Sequence, residues 1–126
     1  MDTEASDLRD ATRELAAREP IFHRAEFGTR REDFAAMITA DYWETGASGA
    51  VYSRDFVLDT LERRHREAIV ERLEVAEFRC QHLAADHYLV TYLLDQAGRL
   101  SRRATIWHRS EAGWQALYHQ GTLVAG

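Results

Sequence analysis

The stretch that most restricts this chain lies toward its end, SRRATIWHRSEAGWQALYHQGT at 101–122. Two runs rich in β-branched and aromatic residues, 101–109 and 114–122, flank the polar segment Ser110-Glu111-Ala112-Gly113. That is the pattern of a β-hairpin with a four-residue loop. Pairing Arg109 with Trp114 puts Arg103, Thr105, Trp107, Tyr118, Gln120 and Thr122 on one face. Ala104, Ile106, Leu117 and His119 then fall on the other. The first face mixes aromatic rings with hydrogen-bonding groups, as a pocket wall does. The second is small and mostly apolar, as core is.

The preceding residues supply the opposite wall. Apolar residues recur at Leu8, Ala11, Leu15 and Ala16, predicting a helix over 4–19 that Pro20 stops. PIFHRAEFG at 20–28 is a connector carrying Phe22, His23, Glu26 and Phe27. Thr29 followed by Glu32 reads as a capping box, so a second helix is expected from near Arg30 to Ala40, with Phe34, Met37 and Ile38 inward. A short strand over 41–45, a turn over 46–49 and a return over 50–52 follow. Ser53 then caps a third helix over 54–66. From Val70 to Leu83 the pattern alternates, with a change of apolar phase between Val75 and Phe78 that predicts a β-bulge and a bent sheet. The next strand, 87–94, is apolar on both faces. Helices enough for one side of the sheet leave its other side to be covered, and a second subunit is the expected cover.

A single domain over 1–126 accounts for the length, and folding would bury roughly two-thirds of the unfolded surface. Hydrophobic content of 45%, with three Trp, five Tyr and five Phe, excludes a disordered chain. The net charge of −5 and short arginine clusters interleaved with acids argue against a nucleic-acid partner. Cys80 stands alone, so no internal disulfide forms. The acidic start lacks a signal-peptide core and no apolar run approaches the ~20 residues of a membrane span, so a cytoplasmic protein without a membrane partner is expected.

The order of elements, helix–helix–hairpin–helix and then four long antiparallel strands, resembles the nuclear transport factor 2-like superfamily, also called cystatin-like or SnoaL-like. Within it the likeness is to an uncharacterised branch, the domain of unknown function numbered 4440. The residues that carry it are EPIFHRAEFG (19–28), DYWETGASGAVYSRDFVLDTL (41–61) and RRATIWHRSEAGWQALYHQGT (102–122). The resemblance implies an α+β domain: a cone-shaped, strongly bent mixed or antiparallel sheet with three N-terminal helices on its concave face. It further implies a cone whose open end admits a small molecule. Members include isomerases, dehydratases, cyclases, epoxide hydrolases and inert binding modules, so the fold alone selects no activity.

In ketosteroid-isomerase-like members, an acid just after the second helix removes a proton beside a carbonyl, and a second acid with a tyrosine holds the enolate. Here Asp41 and Glu44 occupy that strand, and Glu44 is the better placed. No second acid shares the mixed face of the hairpin, where Arg103 and Gln120 stand instead. Glu44 is therefore either a catalytic acid/base or a solvated or Arg-paired strand residue. His119 is either its acid/base partner or a core histidine bonded to a backbone carbonyl or to Glu26. Arg103, costly to bury alone, needs either Glu44 or a ligand carboxylate. Trp43, Tyr92, Trp107, Tyr118 and Gln120, with His23 from the connector, complete the expected ligand-binding set. The histidines lack metal-ligand spacing, and the sequence has no P-loop, dinucleotide fingerprint or GxSxG, so no metal and no cofactor are expected. The expected function is a dimeric small-molecule-binding domain with its pocket inside the bent sheet. The alternatives are a cofactor-independent isomerase, dehydratase or cyclase, and a domain that only dimerises or docks.

Overall fold

A computed structural model describes residues 3–67 and 72–125. The first helix, α1, spans Thr3–Arg18, and its apolar stripe places Ala11 and Leu15 fully in the core. The chain leaves α1 through a cis Glu19–Pro20 bond and makes a short 3-10 turn at Ala25–Phe27. Helix α2 spans Arg31–Ala36, shorter than the sequence pattern predicts. Its reciprocal cap lies one residue beyond the expected Thr29/Glu32 pair, because Asp33 Oδ2 accepts the Arg30 N–H at 3.1 Å. Ile38, expected at the end of this helix, instead opens strand β1, Ile38–Thr45.

β1 turns back into β2, Val51–Ser53, and Ser53 Oγ accepts the Phe56 N–H at 3.2 Å to start α3, Arg54–Arg66. The expected beginning of the next strand, at Val70, lies outside the described residues. The strand itself, β3, runs Leu73–Ala84, followed by β4 (His87–Gln96), β5 (Arg99–Ser110) and β6 (Gly113–Leu123). These ten-to-twelve-residue strands pair as antiparallel neighbours, and the six strands form one mixed sheet in the order β2-β1-β6-β5-β4-β3. Among the described strands, only β1 and β6 pair in parallel.

Of the register shifts in the described sheet, one in β3 and one in β6 matter most here. In β3 the register with β4 shifts between Ala76 and Arg79, where Glu77 takes a positive φ of 54°. This is where the sequence pattern changes phase. In β6 the shift falls between Ala116, opposite Trp107, and Tyr118, opposite Ile106, so Leu117 is an extra residue. Arg109 does pair with Trp114, as expected, but beyond Leu117 every side chain of β6 changes face. The hairpin faces read from strict alternation are thereby corrected. His119 stands beside Thr105 and Arg103, while Tyr118, Gln120 and Thr122 stand with Ala104 and Ile106.

The three helices cover the concave face, and one cluster joins Leu15, Phe34 and Leu58 from the helices to Val90, Tyr92 and Trp107 from the sheet. In β4 burial alternates, with Tyr88, Val90, Tyr92 and Leu94 buried and the intervening side chains half-buried. That asymmetry marks the convex face as the uncovered one.

Candidate functional site

The inner end of the cone is built around a residue that periodicity did not single out. Glu19, 1% exposed, hangs from the end of α1 into the sheet. Its Oε1 accepts the Ile21 N–H at 2.8 Å and the Tyr92 hydroxyl at 2.9 Å, and its Oε2 accepts the Trp107 Nε1–H at 3.0 Å. The Thr105 hydroxyl stands beside the same carboxylate. Burial pushes the Glu19 pKa above the ordinary carboxylate value, and these hydrogen bonds oppose the rise. Trp107, expected to line the ligand pocket, is instead 1% exposed, its polar edge spent on Glu19.

Thr105 links this carboxylate to the next strand. Its Oγ1 lies 2.7 Å from His119 Nδ1, which leaves Nε2 as the nitrogen of that ring able to meet a ligand. The sequence suggested a backbone carbonyl or Glu26 as the His119 partner; the partner is a threonine. His119 is 6% exposed, and burial, with the charges of Arg103 and His23, pushes its pKa down to about 3. It is neutral at physiological pH.

Glu44 sits opposite His119 in the parallel β1–β6 pairing, on the same face of the sheet. Neighbouring strands lie about 4.8 Å apart, so the two side chains share one small volume. Glu44 Oε1 accepts the Tyr42 hydroxyl at 2.8 Å. Burial raises the Glu44 pKa, against that hydrogen bond and the charge of Arg103. Arg103 itself is held by neutral groups, Ser101 Oγ at 2.9 Å and Gln96 Oε1 at 3.3 Å. Its guanidinium lies across Gly121, where a Cβ would come within 2.7 Å of Nη1.

These groups close a cavity of about 80 Å³, whose wall includes Pro20, Phe22, His23, Glu44, Tyr92, Arg103 and His119. Phe22 and His23 come from the connector. Phe22 holds a positive φ of 74°, a conformation that is strained for an aromatic residue, and packs edge-on against Phe34 and Tyr42. Outside lies a larger vestibule of about 440 Å³ between α3, the 46–50 turn and the β4–β5 turn. The two volumes share Phe22, His23, Glu44, Gln96 and Arg103 as wall, so the small one is the blind end of the large one.

Of the expected site residues, the fold brings Glu44, His119, Arg103, Tyr92 and His23 to this blind end and takes four others away, Trp107 into the core beside Glu19 and three to the convex face. Trp43 is 47% exposed on the convex face, where its ring lies 4.5 Å from that of Tyr118. The Tyr118 hydroxyl bonds Thr45 Oγ1 at 2.8 Å and Gln120 Oε1 at 2.9 Å on that face. The Leu117 bulge is the reason Tyr118 and Gln120 face outward. Sequence reasoning missed Glu19 and placed Thr105 on the pocket-like face without giving it a role. The one sequence signal for Glu19 was an acid placed between a helix end and the apolar segment Pro20-Ile21-Phe22. Among the described residues, no three His, Cys, Asp or Glu side chains are grouped to hold a metal, and no helix is long and apolar enough to cross a membrane.

A bent mixed sheet covered by three helices is the nuclear transport factor 2-like architecture, and solved structures bear this fold out. A candidate dehydratase of the NTF2-like family from Streptomyces avermitilis superposes with a TM-score of 0.75 at 15% identity, covering 98% of this chain and 100% of the other. An NTF2-like protein of unknown function in nutrient uptake from Rhodospirillum rubrum gives 0.71 at 16% identity, with 88% and 98% covered. A protein of unknown function from the DUF3225 family, from Pectobacterium atrosepticum, gives 0.70 at 16% identity, with 96% and 93% covered. No family model and no curated protein matches the sequence, so the narrower likeness to the 4440 branch rests on the sequence blocks alone. At these identities the likeness establishes the fold.

Two predictions follow from the Glu19–Thr105–His119 arrangement. Glu19→Gln replaces an acceptor oxygen with an amide donor that faces other donors, and should lower stability by about 2–4 kcal/mol in urea unfolding. An unchanged midpoint would mean that this carboxylate does not organise the floor. His119 is neutral when folded down to about pH 3 but titrates near 6.5 when unfolded. Its stabilising contribution is therefore complete above pH 6.5 and is lost as the pH falls toward 3, by no more than about 1.4 kcal/mol per pH unit. Glu19 and Glu44, with raised pKa values, act in the opposite sense, losing stability as the pH rises through their folded pKa. The comparison is thus between wild type and His119→Asn, which should lose less stability on acidification; equal losses would show that the ring titrates normally in the fold.

Proposed function

We propose that this chain is a small-molecule-binding domain whose ligand enters the open end of the cone and stops against Arg103, Glu44 and His119. The observation that carries the reading is the junction of a 440 Å³ vestibule with a polar blind end. That volume is of the size usual for ligand sites, and its wall is richer in polar and charged groups than such sites usually are. The vestibule walls supply Phe22, Tyr52, Phe56 and Leu61, with the Tyr52 and Phe56 rings stacked 4.9 Å apart.

A second reading, a cofactor-independent isomerase, dehydratase or cyclase, is favoured by Glu44 and His119 sharing one face at paired positions. In that chemistry one group takes a proton from carbon beside a carbonyl, and the freed electron pair forms an enolate facing Arg103. The other group returns a proton to carbon, or gives it to a departing hydroxyl. The structural neighbour from Streptomyces avermitilis carries a dehydratase name, which agrees with this reading without selecting it. It ranks second because an imidazole whose pKa is about 3 has little affinity for a proton in the ligand-free pocket. His23 and the raised-pKa Glu44 complete the polar set at the blind end in either reading.

A thermal-shift screen of small metabolites, followed by mass spectrometry of the hits, separates the readings. Ala47→Trp, in the turn that lines the vestibule, should abolish the shifts while leaving the ligand-free melting temperature in place. Hits returned unchanged in mass and connectivity support binding; conversion that disappears in Glu44→Gln supports catalysis. Shifts that persist in Ala47→Trp would place the ligand elsewhere and sink both.

The convex face calls for a partner of its own, and a homodimer through the sheet is the assembly we favour. Leu89, Leu93 and Ile106 are half-buried there and Trp43 is 47% exposed. Light scattering should give twice the chain mass, falling to the chain mass in Ile106→Arg. A wild-type monomer at all concentrations would refute the dimer. In either state the half-buried Cys80 without a disulfide suits a reducing cytoplasm.

A further inference from the structure

We propose that the vestibule selects an organic anion: an apolar or aromatic body bearing a carboxylate or similar acid, with the acid drawn to the arginines around the blind end. This rests on the small-molecule reading above and names the class of molecule. The charge of the walls is opposite to that of the chain. The protein carries a net −5, yet Arg63, Arg64, Arg99 and Arg103 line the vestibule against a single carboxylate, Glu44. They come from separate elements, Arg63 and Arg64 from the last turn of α3, Arg99 and Arg103 from β5.

Three acids on α3 and β4 make their contacts away from Arg63, Arg99 and Arg103. Asp59 and Glu62 on α3 both take Arg31, at 2.7 and 3.0 Å. Asp95, at the end of β4, accepts the Gly98 N–H at 2.7 Å. Among the described residues, no carboxylate oxygen lies within 4.0 Å of the guanidinium nitrogens of Arg63, Arg99 or Arg103. Arg103 is held in place by Ser101 and Gln96, neutral partners that orient its fork without cancelling its charge.

The vestibule wall carries arginines from both α3 and β5, and charges are largely screened only beyond a Debye length of about 8 Å at physiological salt, so an anion bound there meets cations from two elements. Cavity walls of low dielectric strengthen that field further. The apolar side is equally defined: Tyr52 and Phe56 stack with an interplanar angle of 9°, and Phe56 remains 52% exposed. An exposed aromatic pair beside arginines suits a flat hydrophobic body carrying an acid.

The test uses a matched pair of fluorescent probes, anilinonaphthalene sulfonate and the uncharged phenylnaphthylamine, titrated into the full chain. The sulfonate should bind about tenfold more tightly than the neutral probe. That preference should shrink in Arg99→Gln, a change of an exposed residue that leaves the core alone, and in Arg103→Gln; Ala47→Trp should abolish binding of both. Equal affinity for the two probes, lost together in Ala47→Trp, would overturn the anion preference while keeping the pocket. Brightening that survives Ala47→Trp and ignores both arginine changes would locate the probe on the convex sheet face and overturn both inferences. So would the absence of brightening with either probe.

Discussion

A single buried carboxylate holds the inner end of this fold together. Glu19 bonds the connector through Ile21, β4 through Tyr92 and β5 through Trp107, and it faces Thr105, which passes the contact to His119 on β6. Burying a carboxylate costs several kcal/mol, and hydrogen bonds to a charged group return about 1.5–3 kcal/mol each. Three such bonds roughly offset the penalty, so the gain is in position more than in net stability. The connector is drawn onto the sheet, and Phe22 and His23 are carried to the wall of the cavity. That tie adds to the burial of Ile21 and to the packing of Phe22 on Phe34 and Tyr42 in fixing where Pro20 to His23 lie.

Much of the fold was readable because its signals are local. Ser53 caps α3 through the adjacent Phe56 N–H, and the shift of apolar phase near Glu77 marks a real bulge. The position of the β5–β6 hairpin and the pairing of Arg109 with Trp114 also follow from nearby residues, although Ser110 pairs with Gly113 and so shortens the expected four-residue loop to the turn Glu111-Ala112. The cap of α2 was displaced by one residue because Thr29-Arg30-Arg31-Glu32-Asp33 offers two acids at nearly equivalent spacing, and the geometry used Asp33. Spacing alone does not choose between them.

The site was only half readable, for a different reason. The bulge at Leu117 leaves no mark in the alternation, since Leu117 and Tyr118 are both acceptable on either face of a half-covered sheet. A single extra residue there decides which of two sets lines the cavity. With strict alternation it would be Tyr118 and Gln120; with the bulge it is His119. The same slip sends Tyr118 to Trp43 and Thr45, where the three knit β6 to β1 on the convex surface. Glu19 was hidden for the opposite reason: an acid at a helix end reads as solvated, and only the long-range contacts with Tyr92 and Trp107 reveal it as buried.

The cavity that results has an unusual balance of charge, and its chemistry follows from that balance. Arg103 is the cation shared by Glu44 and His119 at the blind end: it favours the charged form of Glu44 and disfavours protonation of His119. Because Ser101 and Gln96 hold it in place of a carboxylate, its charge is available to whatever enters. Linkage then constrains what an entering anion does. By offsetting Arg103 it raises the proton affinity of His119 and Glu44 together, so His119, a poor proton acceptor in the ligand-free pocket, is a better one in the occupied pocket. A base that strengthens only when an acid-bearing molecule is in place joins the two readings of this site, since the binding step would itself set the protonation that any later proton transfer requires.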